Sequence, residues 1–244
     1  MKKTKTGIYG LDELIEGGFP TGRTVLVSGS CGSGKTTFGI QYIYNGAEQY
    51  GEPGIYVTLD ERPSLIREDC LSFGWDLRKL ENENMIRIID GTVARLGFPT
   101  DEEFTLPSTG VDIDKLLLEI LSSIKRFGAK RIVIDSVAAL GLSLRSEDDI
   151  RRALLKLNYL LGKAGTTSVL ISEIDADSKR FSKYGVEEYL ADGVIVLHYI
   201  GVGGGLTRAL QVVKMRGSKH SEYIHPMEIT NKGLVVKKVE ETSL

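Results

Sequence analysis

One short glycine-rich stretch carries the clearest chemical signal in the chain. Residues 29–36 read Gly-Ser-Cys-Gly-Ser-Gly-Lys-Thr and satisfy the pattern G-x-x-x-x-G-K-[ST] at every fixed position. Glycines let the backbone curl so that successive N–H groups face one anion, and a helix beginning near Lys35 adds its N-terminal dipole. The pattern therefore predicts a phosphate-binding loop in which Lys35 reaches the β- and γ-phosphates and the Thr36 hydroxyl binds Mg²⁺. The expected nucleotide contacts are Ser30, Cys31, Gly32, Ser33, Gly34, Lys35, Thr36 and Thr37.

Acidic residues follow two of the predicted strands and are candidates for metal binding and water activation. Asp135 ends the apolar run 131–135, where the carboxyl end of a parallel strand would face the loop, so it is expected to orient Mg²⁺ or its waters. The alternative is a strand-end acid that caps a turn. Asp60 and Glu61 follow another strand, and a carboxylate there can polarise water for in-line attack on the γ-phosphate. Their alternative role is to cap the helix that begins at Pro63.

Strands and helices that alternate along the chain must position these residues. Predicted strands cover 24–28, 54–59, 85–89, 131–135, 168–171 and 194–198, and predicted helices cover 35–49, 63–73, 111–127 and a segment from about 146. Residues 206–239 indicate antiparallel hairpins. Buried apolar strands in alternation with helices predict an α/β fold, with a mostly parallel sheet covered on both faces, in one domain over 1–244. The polar stretch 98–107 is expected to be an inserted loop that offers a surface to a partner.

Composition and charge exclude several classes of protein. The 244 residues include 31 basic and 33 acidic side chains, so no global positive field attracts nucleic acid or an anionic membrane. The two cysteines cannot form a disulfide scaffold, which suits a reducing cytosol. No apolar run approaches the roughly 20 residues of a membrane span. We expect a cytoplasmic protein that does not insert into membranes.

Several further segments resemble the RecA-like P-loop ATPases of the KaiC type. The matching segments are 6–12, 17–22, 57–61, 72–77 and 214–220, together with the glycine-rich loop. They extend the resemblance over nearly the whole chain, and the likeness is to single-domain KaiC-like ATPases. The resemblance implies a RecA-like fold that binds ATP and Mg²⁺ and hydrolyses ATP.

The same resemblance implies a ring, with a hexamer expected and ATP held between neighbouring subunits. On that arrangement Lys214 and Arg216 reach into the adjacent subunit's site and act on the γ-phosphate. A cation supplied in this way completes the site only on assembly. Other contacts that the resemblance implies are Met215, Ser218 and His220 from across the interface, and Ser72 and Thr230 near the nucleotide, Thr230 by the base or ribose.

Two positions depart from the family pattern. Family members often carry Glu-Glu after the second strand, whereas this chain has Asp60-Glu61. We favour Asp60 as the base by position, and Glu61 stays the alternative. The circadian clock protein of this family has two such domains in tandem, and in its kinase half a Ser-Thr pair precedes an apolar strand. The matching residues here are Glu188 and Tyr189, so the hydroxyl acceptors of the clock cycle are missing. Only Tyr189 could accept phosphate there, and it is expected instead to pack at an interface.

Four functions remain open from the sequence. The first is an ATPase whose slow hydrolysis drives or times a change in a ring, in a regulatory or motor-associated role. The second is an autokinase or protein kinase that uses another acceptor. The third is a RecA- or RadB-like DNA-binding module. It is disfavoured because nucleic-acid affinity depends largely on positive charge, and the three cations of stretch 175–183 are partly neutralised by two anions. The fourth is a nucleotide-sensing adaptor for an unidentified protein client.

Overall fold

The computed structural model describes residues 1–92, 100–106, 113–141, 144, 146–175, 178, 180–202 and 205–239. The inserted loop predicted at 98–107 is described over residues 100–106, and its two ends lie outside this set. Ala176, Asp177 and Lys179 of the charged stretch 175–183 also lie outside the described residues. Within the described part, no helix is both long and apolar enough to cross a membrane.

The described residues contain eleven strands and eight helices. The strands are β1 Lys3–Thr4, β2 Phe19–Pro20, β3 Thr24–Gly29, β4 Gly54–Thr58, β5 Ile86–Asp90, β6 Arg131–Asp135, β7 Thr167–Glu173, β8 Gly193–Val202, β9 Gly205–Met215, β10 Ile224–Thr230 and β11 Gly233–Val236. The helices are α1 Leu11–Leu14, α2 Lys35–Tyr50, α3 Pro63–Leu71, α4 Leu77–Asn82, α5 Ile113–Phe127, α6 Ala138–Gly141, α7 Glu147–Ala164 and α8 Glu187–Leu190.

Nine of these strands form one sheet in the order β11-β10-β9-β8-β3-β7-β6-β4-β5. Strand β3 lies between β7 and β8 and is parallel to both, and β7, β6, β4 and β5 continue the parallel part. Strands β8 to β11 run antiparallel to one another. The predicted fold, a mostly parallel sheet with antiparallel strands at the carboxyl terminus, is confirmed.

Helices cover both faces of the parallel strands, which explains why those strands are apolar on both sides. On one face Val25 and Val27 of β3 share a core with α2. On the other face Leu26 of the same strand belongs to a second core that includes residues of α5 and α7. Burial on both faces fixes the strands, so the residues that follow their carboxyl ends meet at one edge of the sheet.

Gly10, in one of the matching segments, occupies a position with no room for a side chain. Its φ is +81°, and an added Cβ would lie 2.0 Å from the Val236 carbonyl oxygen. Gly22 has a similar φ of +75° but open space around it. We expect Gly10→Ala to lower the Tm more than Gly22→Ala. Both substitutions force a side chain into a left-handed backbone, which costs about 1–2 kcal/mol. Only Gly10→Ala also overpacks its surroundings, which costs a further amount of about 1–3 kcal/mol. Equal Tm losses in thermal melts would contradict the steric argument.

Candidate functional site

The carboxyl ends of the parallel strands border an open cleft of about 800 Å³. Seven of the eight predicted loop residues line it, and the eighth, Ser33, is fully buried. The three predicted acidic residues, Asp60, Glu61 and Asp135, line the same cleft. Elements far apart in sequence therefore bring the predicted loop and its carboxylates to one place.

The loop has a backbone that two glycines make possible. Gly32 and Gly34 have φ values of +75° and +102°, which side chains rarely adopt, and Gly34 immediately precedes α2. The Lys35 ammonium donates a hydrogen bond of 2.9 Å to the Ser30 carbonyl. Burial lowers the pKa of Lys35, while the carboxylates of Glu173 and Asp135 act in the opposite direction. The loop thus presents a helix N-terminus and a partly buried cation to the cleft, as an anion site requires.

Asp135 and Thr36 meet directly across the cleft. The Thr36 hydroxyl donates to Asp135 Oδ2 at 2.8 Å, and the Tyr56 hydroxyl donates to the same oxygen at 2.6 Å. Burial raises the pKa of Asp135, and these two hydrogen bonds act in the opposite direction. The expected pair of metal ligands is therefore assembled, and Tyr56 orients its carboxylate.

Asp60 and Glu61 occupy different surroundings at the cleft. The Ser136 hydroxyl donates to Asp60 Oδ2 at 2.8 Å. Burial raises the pKa of Glu61, and the negative charges of Asp69 and Asp135 raise it further. The N-cap residue of α3 is Arg62, whose side chain makes no capping hydrogen bond, so neither carboxylate occupies the N-cap position itself.

The donor set fits magnesium bound together with phosphate. Mg²⁺ prefers hard oxygen ligands and commonly takes one or two from protein side chains, with phosphates and waters supplying the rest. The Thr36 hydroxyl and the Asp135 carboxylate provide such oxygens. Among the described residues, no cluster of three His, Cys, Asp or Glu could hold a metal by itself.

Lys214 and Arg216 lie at the other end of the sheet from the loop. Lys214 is paired with Val194 at the start of β8, and the neighbouring Gly193 pairs with Val25 near the start of β3. The loop follows the opposite end of β3, whose six residues span about 16 Å at about 3.3 Å per residue. Neither cation is among the described residues that line the cleft.

Two of the remaining predicted contacts, Ser72 and Thr230, lie near the main cleft. Ser72 lies in a smaller cavity of about 310 Å³ that Thr36, Thr37 and Glu61 also line, beside the main cleft. Thr230 follows the cleft residue Ile229 and donates to the Gly233 carbonyl at 2.9 Å.

Met215, Ser218 and His220 are outside the cleft of their own chain. The Met215 side chain is 4% exposed and packs in its own core, so a contact with another subunit's nucleotide would use its backbone. Ser218 contacts Lys3 and Glu16. His220 lines a separate cavity of about 690 Å³. These three contacts remain predictions.

The site residues that were not predicted from the sequence include Tyr56, Glu173 and Arg208. Tyr56 holds Asp135, and Glu173 at the end of β7 lines the cleft. Arg208 donates to the Gly32 carbonyl at 3.0 Å, with its guanidinium over the Tyr199 ring. The reasoning applied to Asp135, an acid at the carboxyl end of a buried strand, would also have found Glu173. Nothing local marked Arg208, because its contact depends on the pairing of β8 with β9.

Comparisons with known proteins agree with this geometry. A protein named UPF0273 from Aeropyrum pernix is 38% identical, covering 96% of this chain and 93% of that protein. The circadian clock oscillator protein KaiC of Parathermosynechococcus lividus is 37% identical over 95% of this chain but only 42% of its own length. The crystal structure of a KaiC-like protein from Pyrococcus horikoshii has a TM-score of 0.84 and 43% identity, covering 97% of this chain and 99% of that one. The family model described as "ATPase: KaiC" matches residues 4–241, and the chain therefore belongs to the KaiC ATPase family, with a P-loop that binds nucleotide.

Proposed function

We propose that this chain is a cytoplasmic ATPase that hydrolyses Mg-ATP in clefts completed by neighbouring copies in a ring, with a hexamer expected. The observation that carries the proposal is the separation of Lys214 and Arg216 from the loop of their own chain, at opposite ends of β3. A head-to-tail contact between copies would bring one subunit's cations to the next subunit's cleft, and such contacts form a ring when the rotation from one copy to the next closes.

Each group in the cleft has a role that its surroundings support. Lys35 and the loop N–H groups bind the phosphates, and Thr36 and Asp135 would hold Mg²⁺. The metal would neutralise charge on the β- and γ-phosphate oxygens. Asp60 or Glu61 accepts a proton from the attacking water, and the raised pKa of Glu61 suits a proton acceptor near neutral pH. We propose a regulatory or motor-associated role for this hydrolysis, acting on a protein client.

An autokinase is the second candidate, because one hydroxyl is accessible at the position of the clock protein's acceptor pair. The Tyr189 side chain is 72% exposed. A DNA-binding function has less support among the described residues of stretch 175–183. Lys183 pairs with Asp175 at 2.8 Å, and Arg180 donates to the Tyr184 carbonyl at 3.4 Å.

Incubation with γ-labelled ATP and Mg²⁺ tests the proposal, with free phosphate and protein-bound label read together. The hydrolase proposal expects free phosphate without retained label, in a fraction that elutes as a ring in size-exclusion chromatography with light scattering. Stable label on the protein would favour the autokinase, and its loss in Tyr189→Phe would identify the acceptor. Activity that stays with a monomer at all concentrations would contradict the interface proposal.

Cys31 offers a chemical probe of the cleft. Its side chain is exposed in the loop, whereas Cys70 is buried and burial raises its pKa to about 12. We therefore expect a thiol reagent to modify Cys31 first and to block ATP binding, because the added group occupies the phosphate path. Mg-ATP should protect Cys31, and Cys31→Ser should keep binding after treatment. ATP binding that is unchanged after complete modification of Cys31 would contradict this placement.

A further inference from the structure

One buried carboxylate, that of Glu187, has no part in the chemistry above. Glu187 is 2% exposed. It accepts a hydrogen bond from the Ser172 hydroxyl at 3.1 Å, and the Ser182 hydroxyl lies 2.6 Å from it and also contacts the Glu188 carboxylate. The backbone N–H groups of Tyr184 and Val186 donate to the Glu187 carboxylate at 3.2 Å. Ionised carboxylates accept from several donors at once, so Glu187 gathers residues 182–187 around one charge.

One end of this arrangement contacts the chain's own nucleotide cleft. Ser172 belongs to β7 and is followed by Glu173, which lines the cleft. The Tyr184 hydroxyl donates to the Ala138 carbonyl at 2.7 Å, three residues after Asp135. Residues 182–190, here called the linking segment, are therefore attached to two walls of the cleft.

The other end of the linking segment holds the two cations that lie away from the cleft. The Lys214 ammonium donates to the Glu188 carbonyl at 2.7 Å, and the Arg216 guanidinium donates to the Tyr189 carbonyl at 3.2 Å. Both acceptors belong to α8, a single helical turn that begins at Glu187 itself. A turn of four residues has little stability of its own, so its position depends on the contacts that Glu187 makes.

We propose that Glu187 is a positioning residue: its buried carboxylate fixes the linking segment and thereby places Lys214 and Arg216 for use in the next subunit's cleft. This inference rests on the proposed function at subunit interfaces. It adds that backbone carbonyls hold the cations and that contacts with the subunit's own cleft set the position of those carbonyls. Each cleft is therefore structurally connected to the next.

Replacing Glu187 with glutamine tests this role with little change in shape. The amide nitrogen would face donors that need an acceptor, so the linking segment should shift. We expect kcat to fall about 10²-fold, as misplacement by about 1 Å can cost, with KM for ATP changed less than threefold because the loop is intact. Ser182→Ala removes one donor and should give a smaller loss of kcat in the same direction. It keeps the proposal testable if Glu187→Gln does not fold.

Mixed assemblies distinguish a positioning role from a general structural one. A Lys35→Ala subunit has a defective cleft but normal cations, whereas a Glu187→Gln subunit is expected to have a normal cleft and misplaced cations. When the two inactive variants are mixed in equal amounts, about a quarter of the head-to-tail interfaces should combine a normal cleft with normal cations. We therefore expect activity to recover towards a quarter of the wild-type rate.

Two controls separate the possible failures. Lys183→Ala alters an exposed side chain of the linking segment and leaves the donors to the Glu187 carboxylate in place, so its kcat should stay within threefold of wild type. Arg216→Ala mixed with Lys35→Ala tests the interface itself. If that mixture recovers and the Glu187→Gln mixture does not, the positioning role is wrong and the interface proposal stands. If neither recovers, both are wrong, and an equal loss of kcat in Lys183→Ala would also overturn the role of Glu187.

Discussion

Replacing Lys35 with alanine is expected to lower the rate of ATP hydrolysis by about 10²–10³-fold, the usual effect of removing one preorganised donor to a developing charge. Affinity for ATP should fall as well. In the structure the Lys35 ammonium is partly buried and its hydrogen bond is to the Ser30 carbonyl of its own loop. Burial disfavours the charged form of the Lys35 ammonium. A bound triphosphate would offset this desolvation cost, because opposite charges attract strongly where water is excluded.

Lys183→Ala is the matched control for Lys35→Ala. Lys183 is also a cation near the cleft, paired at 2.8 Å with the cleft residue Asp175, but its side chain is solvated. Exposed ion pairs contribute little free energy, so hydrolysis and ATP affinity should change less than about threefold. Titration of labelled nucleotide and steady-state phosphate release measure both quantities. Similar losses in the two variants would mean that the cleft responds only to net charge.

The loop, the principal strands and Asp135 could be predicted because their signals are local. A glycine pattern, apolar runs of four to six residues and an acid at a strand end each involve neighbours in sequence. Predicted boundaries differ from observed ones by a few residues; for example, β5 begins at Ile86 rather than 85, and α3 ends at Leu71 rather than 73. The helix start near Ser146 was correct, and the Ser146 hydroxyl accepts from the Asp149 N–H at 3.1 Å.

Features that depend on strand order could not be predicted. An acid at the carboxyl end of a buried strand marks Glu173 as a candidate, but its place at the cleft beside Asp135 depends on β7 lying between β3 and β6, which the sequence does not show. Glu187 stands in a polar stretch with a second glutamate beside it, which indicates an exposed surface. The buried carboxylate is stabilised by hydroxyl groups that lie next to it, those of Ser172, 15 residues away in sequence, and Ser182, five residues away. The short helices α1, α4, α6 and α8 were missed because none is long enough to show a helical period.

The largest effect is expected for Lys214 and Arg216. Replacing Arg216 with alanine should lower kcat by about 10³-fold, the range known for cations supplied to a γ-phosphate from another subunit. Nucleotide affinity should change little, because the loop that binds the phosphates is in the other subunit. Lys214→Ala should act in the same direction. Burial and the nearby Arg216 charge lower the pKa of Lys214, so removing Arg216 would also favour the charged form of Lys214.

Arg23→Ala provides a matched control for Arg216→Ala. Arg23 and Arg216 both contact Asp192, at 2.9 Å and 3.7 Å, at the same end of the sheet. Loss of Arg23 removes an equal charge from the same carboxylate, yet Arg23 lacks the bond to the linking segment, so kcat should stay within about threefold. If wild-type activity per subunit falls on dilution while Arg216→Ala binds ATP normally, the cation acts between copies. The opposite outcome is an activity per subunit that does not change with concentration, even where only monomers remain. That outcome would mean that each cleft is complete within one chain. The separation of Arg216 from its own loop argues against it.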